Sequence, residues 1–419
     1  MNQFADRQSV EGAATAGSLT VRDVRMAGQQ GPVDIVVRDG IITRVCASAP
    51  GSGPEAGVTI DGRGFWAIGG LVDAHAHLDK TLVGLPYHPN PGGRSVQDLA
   101  DAERELRPTL PNSVRQRVEL LLTRLVTLGT SHIRSHVDVD TTAGLSNLVE
   151  VLAARRAFAG LIDVQIVAFP QSGLLRRAGT VGLMEEAMRS GADLVGGLDP
   201  AGVDQDPAAH LDAVFGLAEK VGRGIDIHLH DAGELGAWEI DQIVARTLAH
   251  GMQGLVTISH AAALGEVSRD RQDQLLARLA EHGVSIATVA PGRGVMLPVS
   301  RMVAAGVVVA TGNDGIRDMW NPYATGDMLL RAQMLAWRCG FRTDEDIELA
   351  LDIATGGGAR ALGVRNYGVV AGCRGDFVLA QGQTIGDVVV THDPRRWVIK
   401  GGVVVGGPNG APPTVPAGS

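Results

Sequence analysis

Little in this chain suits it to a membrane, a disulfide scaffold or a nucleic acid. Cysteine is scarce: Cys46, Cys339 and Cys373 are the only three in 419 residues. Lying far apart, they form neither a disulfide framework nor a cysteine-type zinc site, so a reducing compartment is expected. Aromatic residues make up 4%, which leaves few platforms for stacking on bases. Basic residues are outnumbered, 37 Lys and Arg against 46 Asp and Glu for a net charge of −9, whereas a partner built of phosphates favours a basic excess. No window reaches the roughly 18 uncharged apolar residues of a membrane-crossing helix. Residues 1–18 contain Asp6, Arg7 and Glu11 and no apolar centre of a secretory signal, so they read as a disordered leader. A cytoplasmic protein with no membrane or nucleic-acid partner is expected.

What is present is a globular composition, 45% hydrophobic and 20% charged, with 56 glycines for tight connections between buried elements. At about 150 residues per domain the length suggests two or three domains, with barrels a known exception. From Leu19 the chain reads as short β segments, LTVRDVRM, DIVVRDGIITRVC and VTIDGRGFWAIGG, with turns at Asp39-Gly40 and Asp61-Gly62. After Gly70 the rhythm changes. Apolar runs (SHIRSHVDVD, LIDVQIVAFPQ, ADLVGGLD, GIDIHLHD, GLVTISHAAA, GVSIATVAP, GVVVATGND) alternate with amphipathic stretches such as SVRQRVELLLTRLVTLG and AHLDAVFGLAEKVG. Such alternation indicates parallel strands buried on both faces, and with the strand before Asp73 the count reaches eight, that of a closed (β/α)8 barrel. From Arg374, the segments RGDFVLAQG, DVVVTHD and RRWVIKGGVVVGG return to short strands. The fold expected is α/β: a (β/α)8 TIM barrel over 68–364, a small composite β-sandwich from 19–67 and 365–407, and a flexible tail at 408–419.

Most of the barrel runs end in residues that a core strand avoids. These are Asp73, His75 and His77 on the first, His136 and Asp138 on the second, Gln171 on the third, Asp199 on the fourth, His228 and His230 on the fifth, His260 on the sixth and Asp314 on the eighth. In a barrel these edges share one mouth, where active sites of the fold lie. A lone buried His is more often a satisfied core residue than a ligand, but that reading would have to explain six His on four edges. His75 and His77, at i and i+2 of a strand, point to one face and can grip one ion. With His228 and Asp314 they give three imidazoles and a carboxylate around a divalent ion, which leaves a place for water and suits hydrolysis. His88, His132, His210, His250, His282 and His392 lie in helices, loops or strand starts and read as surface residues.

The ordered motifs GLVDAHAHLDK, GIDIHLHD, TISHAAA and ATGND resemble the amidohydrolase superfamily. LIDVQIVAFPQSG, MEEAMRSGADLVGG and SHVDVD are similar to its cytosine deaminase group. The resemblance covers about Leu19 to Gly407. It implies that His75, His77, His228 and Asp314 hold one Zn or Fe ion, that His260 orients or deprotonates the reactive water, and that Gln171 binds the amide edge of a ring. Two departures concern the substrate: Asp231 stands where the group has Glu, and Asp314-Gly315 where it has consecutive Asp residues. His230 and Lys80, in HxHD and HxHxDK, resemble instead the N-isopropylammelide isopropylaminohydrolase branch.

The activity expected is hydrolytic removal of an amine from a nitrogen heterocycle such as cytosine, a pterin or a triazine. Asp314 and His260 would collect the water's proton, and Asp231 or His230 would protonate the ring nitrogen. Lys80 would face a ring oxygen or an anionic substituent, with a solvated loop lysine as the plain alternative. Asp318 and Trp320 would close the pocket, Trp320 by stacking or merely by packing. His136 and Asp138 would support the ligands. A cyclic amide hydrolase is a further alternative, though the third and fourth strand ends lack the Lys that would bridge two metals; a non-catalytic scaffold is another. A homo-oligomer is expected.

Overall fold

The computed structural model describes residues 17–48, 57–89, 96–292, 294–394 and 396–407. Most of the expected leader and all of the expected tail lie outside them. The strands run in chain order as β1 (Leu19–Val24), β2 (Val33–Arg38), β3 (Ile41–Ala47), β4 (Val58–Asp61), β5 (Trp66–Gly69), β6 (Leu71–Ala76), β7 (Thr130–Asp138), β8 (Asp163–Phe169), β9 (Leu194–Leu198), β10 (Gly224–His228), β11 (Val256–Ser259), β12 (Ser285–Thr288), β13 (Val309–Thr311), β14 (Phe377–Ala380), β15 (Trp397–Lys400) and β16 (Val403–Gly406).

β6 to β13 form one eight-stranded parallel sheet in sequence order. It closes on itself where Asp314 N–H donates to His75 O at 2.8 Å and Ala76 bridges Asp314. Gly312 allows the closure, since a Cβ there would lie 2.4 Å from His75 O. These strands are buried almost throughout and carry β-branched residues, as expected of strands covered on both faces. Three of the helices between them start at side-chain caps. Ser113 and Gln116 form a capping box before Val114–Thr127, Asp206 caps Pro207–Val221 and Ser268 caps Arg269–Glu281. Val118, Leu121, Leu122 and Leu125 make the buried stripe of the first.

The chain ends supply two four-stranded sheets, β3-β2-β1-β4 and β16-β15-β14-β5. Leu19, Val21, Ile35 and Ile42 of the first share an apolar layer with Phe377, Leu379 and Ile399 of the second. The α/β class and the barrel with flanking β-structure from both chain ends are as the sequence implies. Two details differ. DVVVTHD is no strand: Ile385–Thr391 is a helix whose N-cap, Thr384, accepts from Asp387 N–H, and packing of Val388 and Val389 on the core overrides their β preference. His132 and His210 are buried, not surface, because each has a carboxylate partner, Asp163 at 3.2 Å and Asp204 at 2.6 Å.

Candidate metal centre and active site

The C-terminal ends of the barrel strands bring His75, His77, His136, His228, His230, His260 and Asp314 together. His75 Nδ1 lies 2.8 Å from Ser259 Oγ, whose own proton goes to Asp226 Oδ1 at 2.6 Å. The serine oxygen therefore accepts from Nδ1–H, and His75 Nε2 keeps its lone pair; this nitrogen is buried and has no hydrogen-bond partner. His77 Nε2 is 3.3 Å from Asp314 Oδ1 and 3.3 Å from His228 Nε2. The ligating atoms of His75, His77 and Asp314 lie within 4.8 Å of one another, as do those of His75, His136 and His228. His77 Nδ1, His228 Nδ1, His260 Nε2 and both nitrogens of His136 are also buried without partners.

Burial pushes His77 below its ordinary value and pushes His136, His228 and His260 well below theirs. Burial alone would raise Asp314, but the imidazoles of His75 and His77 beside it hold it well below the usual carboxylate range. Neutral imidazoles with free lone pairs beside an ionised carboxylate are the donor set of a divalent cation, and the residues fit one. Backbone strain collects here too: His260 has φ 69° and Asp314 φ 61°.

Above this cluster opens a cavity of about 190 Å³, lined by His77, Lys80, Gln171, His228, His230, His260, Asp314, Asp318 and Trp320, with Leu99, Phe169, Leu198 and Gly315. Lys80 is buried, not a solvated loop lysine. It donates to Gln171 Oε1, pairs with Asp138 at 3.2 Å and Glu103 at 3.6 Å, and lies 5.1 Å from the Trp320 ring centroid. Burial works against its charge, but Asp138, Glu103 and Asp79 raise it above its ordinary value. Trp320 is held by its Nε1–H on Glu103 at 2.8 Å. Asp318 Oδ1 accepts from the N–H groups of Trp320 and Asn321, and burial, then the charges of Glu103 and Asp314, push its carboxyl up to about 7.

His230 lines the cavity with its ring 4.1 Å from that of His260, centroid to centroid. Its Nδ1 is 3.0 Å from Asp199 Oδ2, and its backbone N–H donates to Asp199 Oδ1 at 2.6 Å. Burial opposes its charge, but the Asp199 carboxylate raises it above its ordinary value. Asp231 does not line the cavity: its carboxylate turns back to accept from Gly202 N–H at 3.0 Å. Asp73 is tied to Asn313 across the barrel seam by Nδ2–H at 2.7 Å and N–H at 3.0 Å. Asp199 is the residue that the sequence placed at the mouth without giving it a task; its place on the edge beside the fifth strand was the available signal. Glu103, on a helix outside the barrel, left no such signal.

The amidohydrolase family profile matches residues 58–406. The chain belongs to the amidohydrolase family. This amidohydrolase is 30% identical over 393 residues to N-isopropylammelide isopropyl amidohydrolase of Pseudomonas sp. (strain ADP), an alignment spanning 92% of this chain and 96% of that protein. It superposes on the crystal structure of N-isopropylammelide isopropylaminohydrolase from Burkholderia multivorans ATCC 17616 with a TM-score of 0.90 and 43% identity, covering 94% of this chain and 99% of the other. With 5-methylcytosine deaminase from Klebsiella pneumoniae the TM-score is 0.83 and the identity 26%, over 93% and 97% of the two chains. The amidohydrolase described here is an enzyme that hydrolyses carbon–nitrogen bonds other than peptide bonds.

Proposed function

We propose that the protein is a metal-dependent aminohydrolase that removes an exocyclic amine from a small nitrogen heterocycle, with an alkylamino-substituted triazine as the favoured ring. The observation that carries this reading is the arrangement of the cavity, with His230, backed by Asp199, and the Lys80–Gln171 pair lining the space above the imidazole cluster. The alkylamine reading is supported by 43% identity to an isopropylaminohydrolase over nearly the whole chain. Release of ammonia from a cytosine-type or pterin-type ring is the second reading, favoured by the likeness to 5-methylcytosine deaminase and by Gln171, which lines the cavity and can turn its amide N–H groups to a ring carbonyl while Lys80 holds its oxygen.

His75, His77, His228 and Asp314 would hold the ion, Zn or Fe. When bound, such an ion supplies positive charge and lowers the pKa of water toward neutrality, giving a nucleophile. His260, neutral and with a free Nε2, and Asp314 accept the proton of the attacking water. His230, kept charged by Asp199, gives a proton to the ring nitrogen or the departing amine in place of Asp231. Lys80 and Gln171 bind the ring's oxygen and amide edge, while Phe169 and Trp320 exclude water. We place the enzyme in the cytoplasm as a homo-oligomer.

A screen of aminated triazines, pyrimidines and pterins, scored by release of alkylamine or ammonia with His228→Ala as the blank, tests the assignment. Turnover of an N-alkylaminotriazine by the wild type alone is the expected result. Turnover by His228→Ala at the wild-type rate, or no amine release from any ring by the metal-loaded protein, overturns it.

A further inference from the structure

Asp231 and Glu239 have no part in the cavity, yet both sit against the turn that begins at Asp199. Glu239 lies on the helix Gly233–Ala249 and is fully buried. Its Oε1 accepts from Ala201 N–H at 2.9 Å, and Asp231 Oδ2 accepts from the next N–H, that of Gly202, at 3.0 Å. Only glycine allows this approach, because a Cβ at Gly202 would stand 2.4 Å from Asp231 Oδ1. The two carboxyl groups thus bond consecutive N–H groups of one turn, and Glu239 Oε2 is buried with no hydrogen-bond partner among the described residues. Among the described residues neither acid has an ion pair, so two negative charges on neighbouring N–H groups would repel, with only the charge of His230 to offset Asp231.

We propose that Asp231 and Glu239 are a carboxyl pair holding one proton between them, and that the pair clamps residues 199–202 so that Asp199 stays on His230. The inference deepens the proposed function and rests on His230 as proton donor. Both acids are positioning residues, since neither lines the cavity. Burial, then the charge of Asp231, pushes Glu239 up to about 8, which leaves the proton on Glu239 at neutral pH. Other charged groups on the packed elements are already paired. Asp199 holds His230, Arg271 and Arg278 hold Asp241, Arg271 also meets Glu234, Arg246 holds Asp212, and Glu266 accepts from Gly233 N–H.

Glu239→Gln reproduces the protonated acid, with an oxygen for Ala201 N–H and an amide N–H for Asp231. The first measurement is Tm against pH for the full chain, without substrate. The folded-state value of Glu239 is raised from an ordinary 4.5 to about 8. The stability it confers is therefore present below 4.5 and lost as pH rises through about 8. The Tm of E239Q relative to wild type should climb between those limits and then level; parallel curves overturn the shared proton. The second measurement is kcat and KM on an aminated ring that the wild type turns over. Loss of the His230 proton lowers kcat at high pH in both proteins, but above pH 8 wild-type kcat should fall more steeply than that of E239Q. Glu239→Ala should lose roughly tenfold in kcat, with KM within about twofold, as is typical when a partner behind a catalytic side chain is removed. An unchanged kcat, or equal loss of binding and turnover, in folded E239A overturns the clamp. Because the Tm comparison needs no substrate, failure of the functional assignment is distinguishable from failure of the pair.

Discussion

His75, His77 and His228 are costly to bury as bare imidazoles, since each is left with a ring nitrogen that has no hydrogen-bond partner. An ion would satisfy them. Chelation should therefore abolish amine release and lower Tm, and adding Zn or Fe should restore both. A ligand at a hundred times its Kd contributes about 2.7 kcal/mol, so the shift is measurable by calorimetry. Asp199 is the sharpest single-residue test of proton donation. Asp199→Asn removes the charge that holds His230 protonated and should lower kcat roughly 10–100-fold with little change in KM, read from steady-state kinetics. Lys80→Ala should act oppositely, chiefly on KM, because Lys80 lines the binding wall. Normal binding and turnover in that variant would remove Lys80 from the site.

At the scale of elements, Gly312→Ala should destabilise the chain by about 3 kcal/mol or more in denaturant unfolding, since the new methyl meets His75 O in a seam with no room to relax. Thr384→Ala should cost about 1 kcal/mol through loss of the cap on the helix Ile385–Thr391. That helix shows where sequence legibility stops. The barrel strands were readable because long apolar runs recur between amphipathic helices, and the mouth because His75, His77, His228, His260 and Asp314 interrupt those runs at their ends. DVVVTHD offered the same β-branched signal as a strand, and only tertiary packing of Val388 and Val389 decides it. Asp231 misled for a related reason. Spacing puts it at the strand end beside His228, but the glycine at 202 that draws its carboxylate away lies on another loop. Glu103 and its hold on Trp320 and Lys80 depend on a helix outside the barrel, beyond any periodicity.

Across the whole molecule, Lys400 ties the terminal sheet to the barrel floor. Its Nζ meets Asp376 Oδ2 at 2.7 Å and Asp163 Oδ2 at 2.6 Å, at the start of β8. Lys400→Met would remove the nearest cation from buried Asp376, leaving it Arg374 at 3.5 Å and Gly401 N–H at 2.7 Å, and should cost about 1.5–3 kcal/mol by chemical denaturation. Burial works against Asp163, but His132 and Lys400 hold its carboxyl well below the usual range. Its contribution to stability is thus present at neutral pH and lost as pH falls, and the acid limb of a Tm profile should be shallower in Lys400→Met. The barrel seam carries a further consequence. The proposed ligands His75 and His77 stand on one side of it and Asp314 on the other, joined by the hydrogen bond from Asp314 N–H to His75 O. A cation shared across that gap would act as a clasp on a hoop. Ring closure and ion retention become one linked equilibrium, so substitutions that loosen the seam, far from any ligand atom, should first announce themselves as weakened metal affinity.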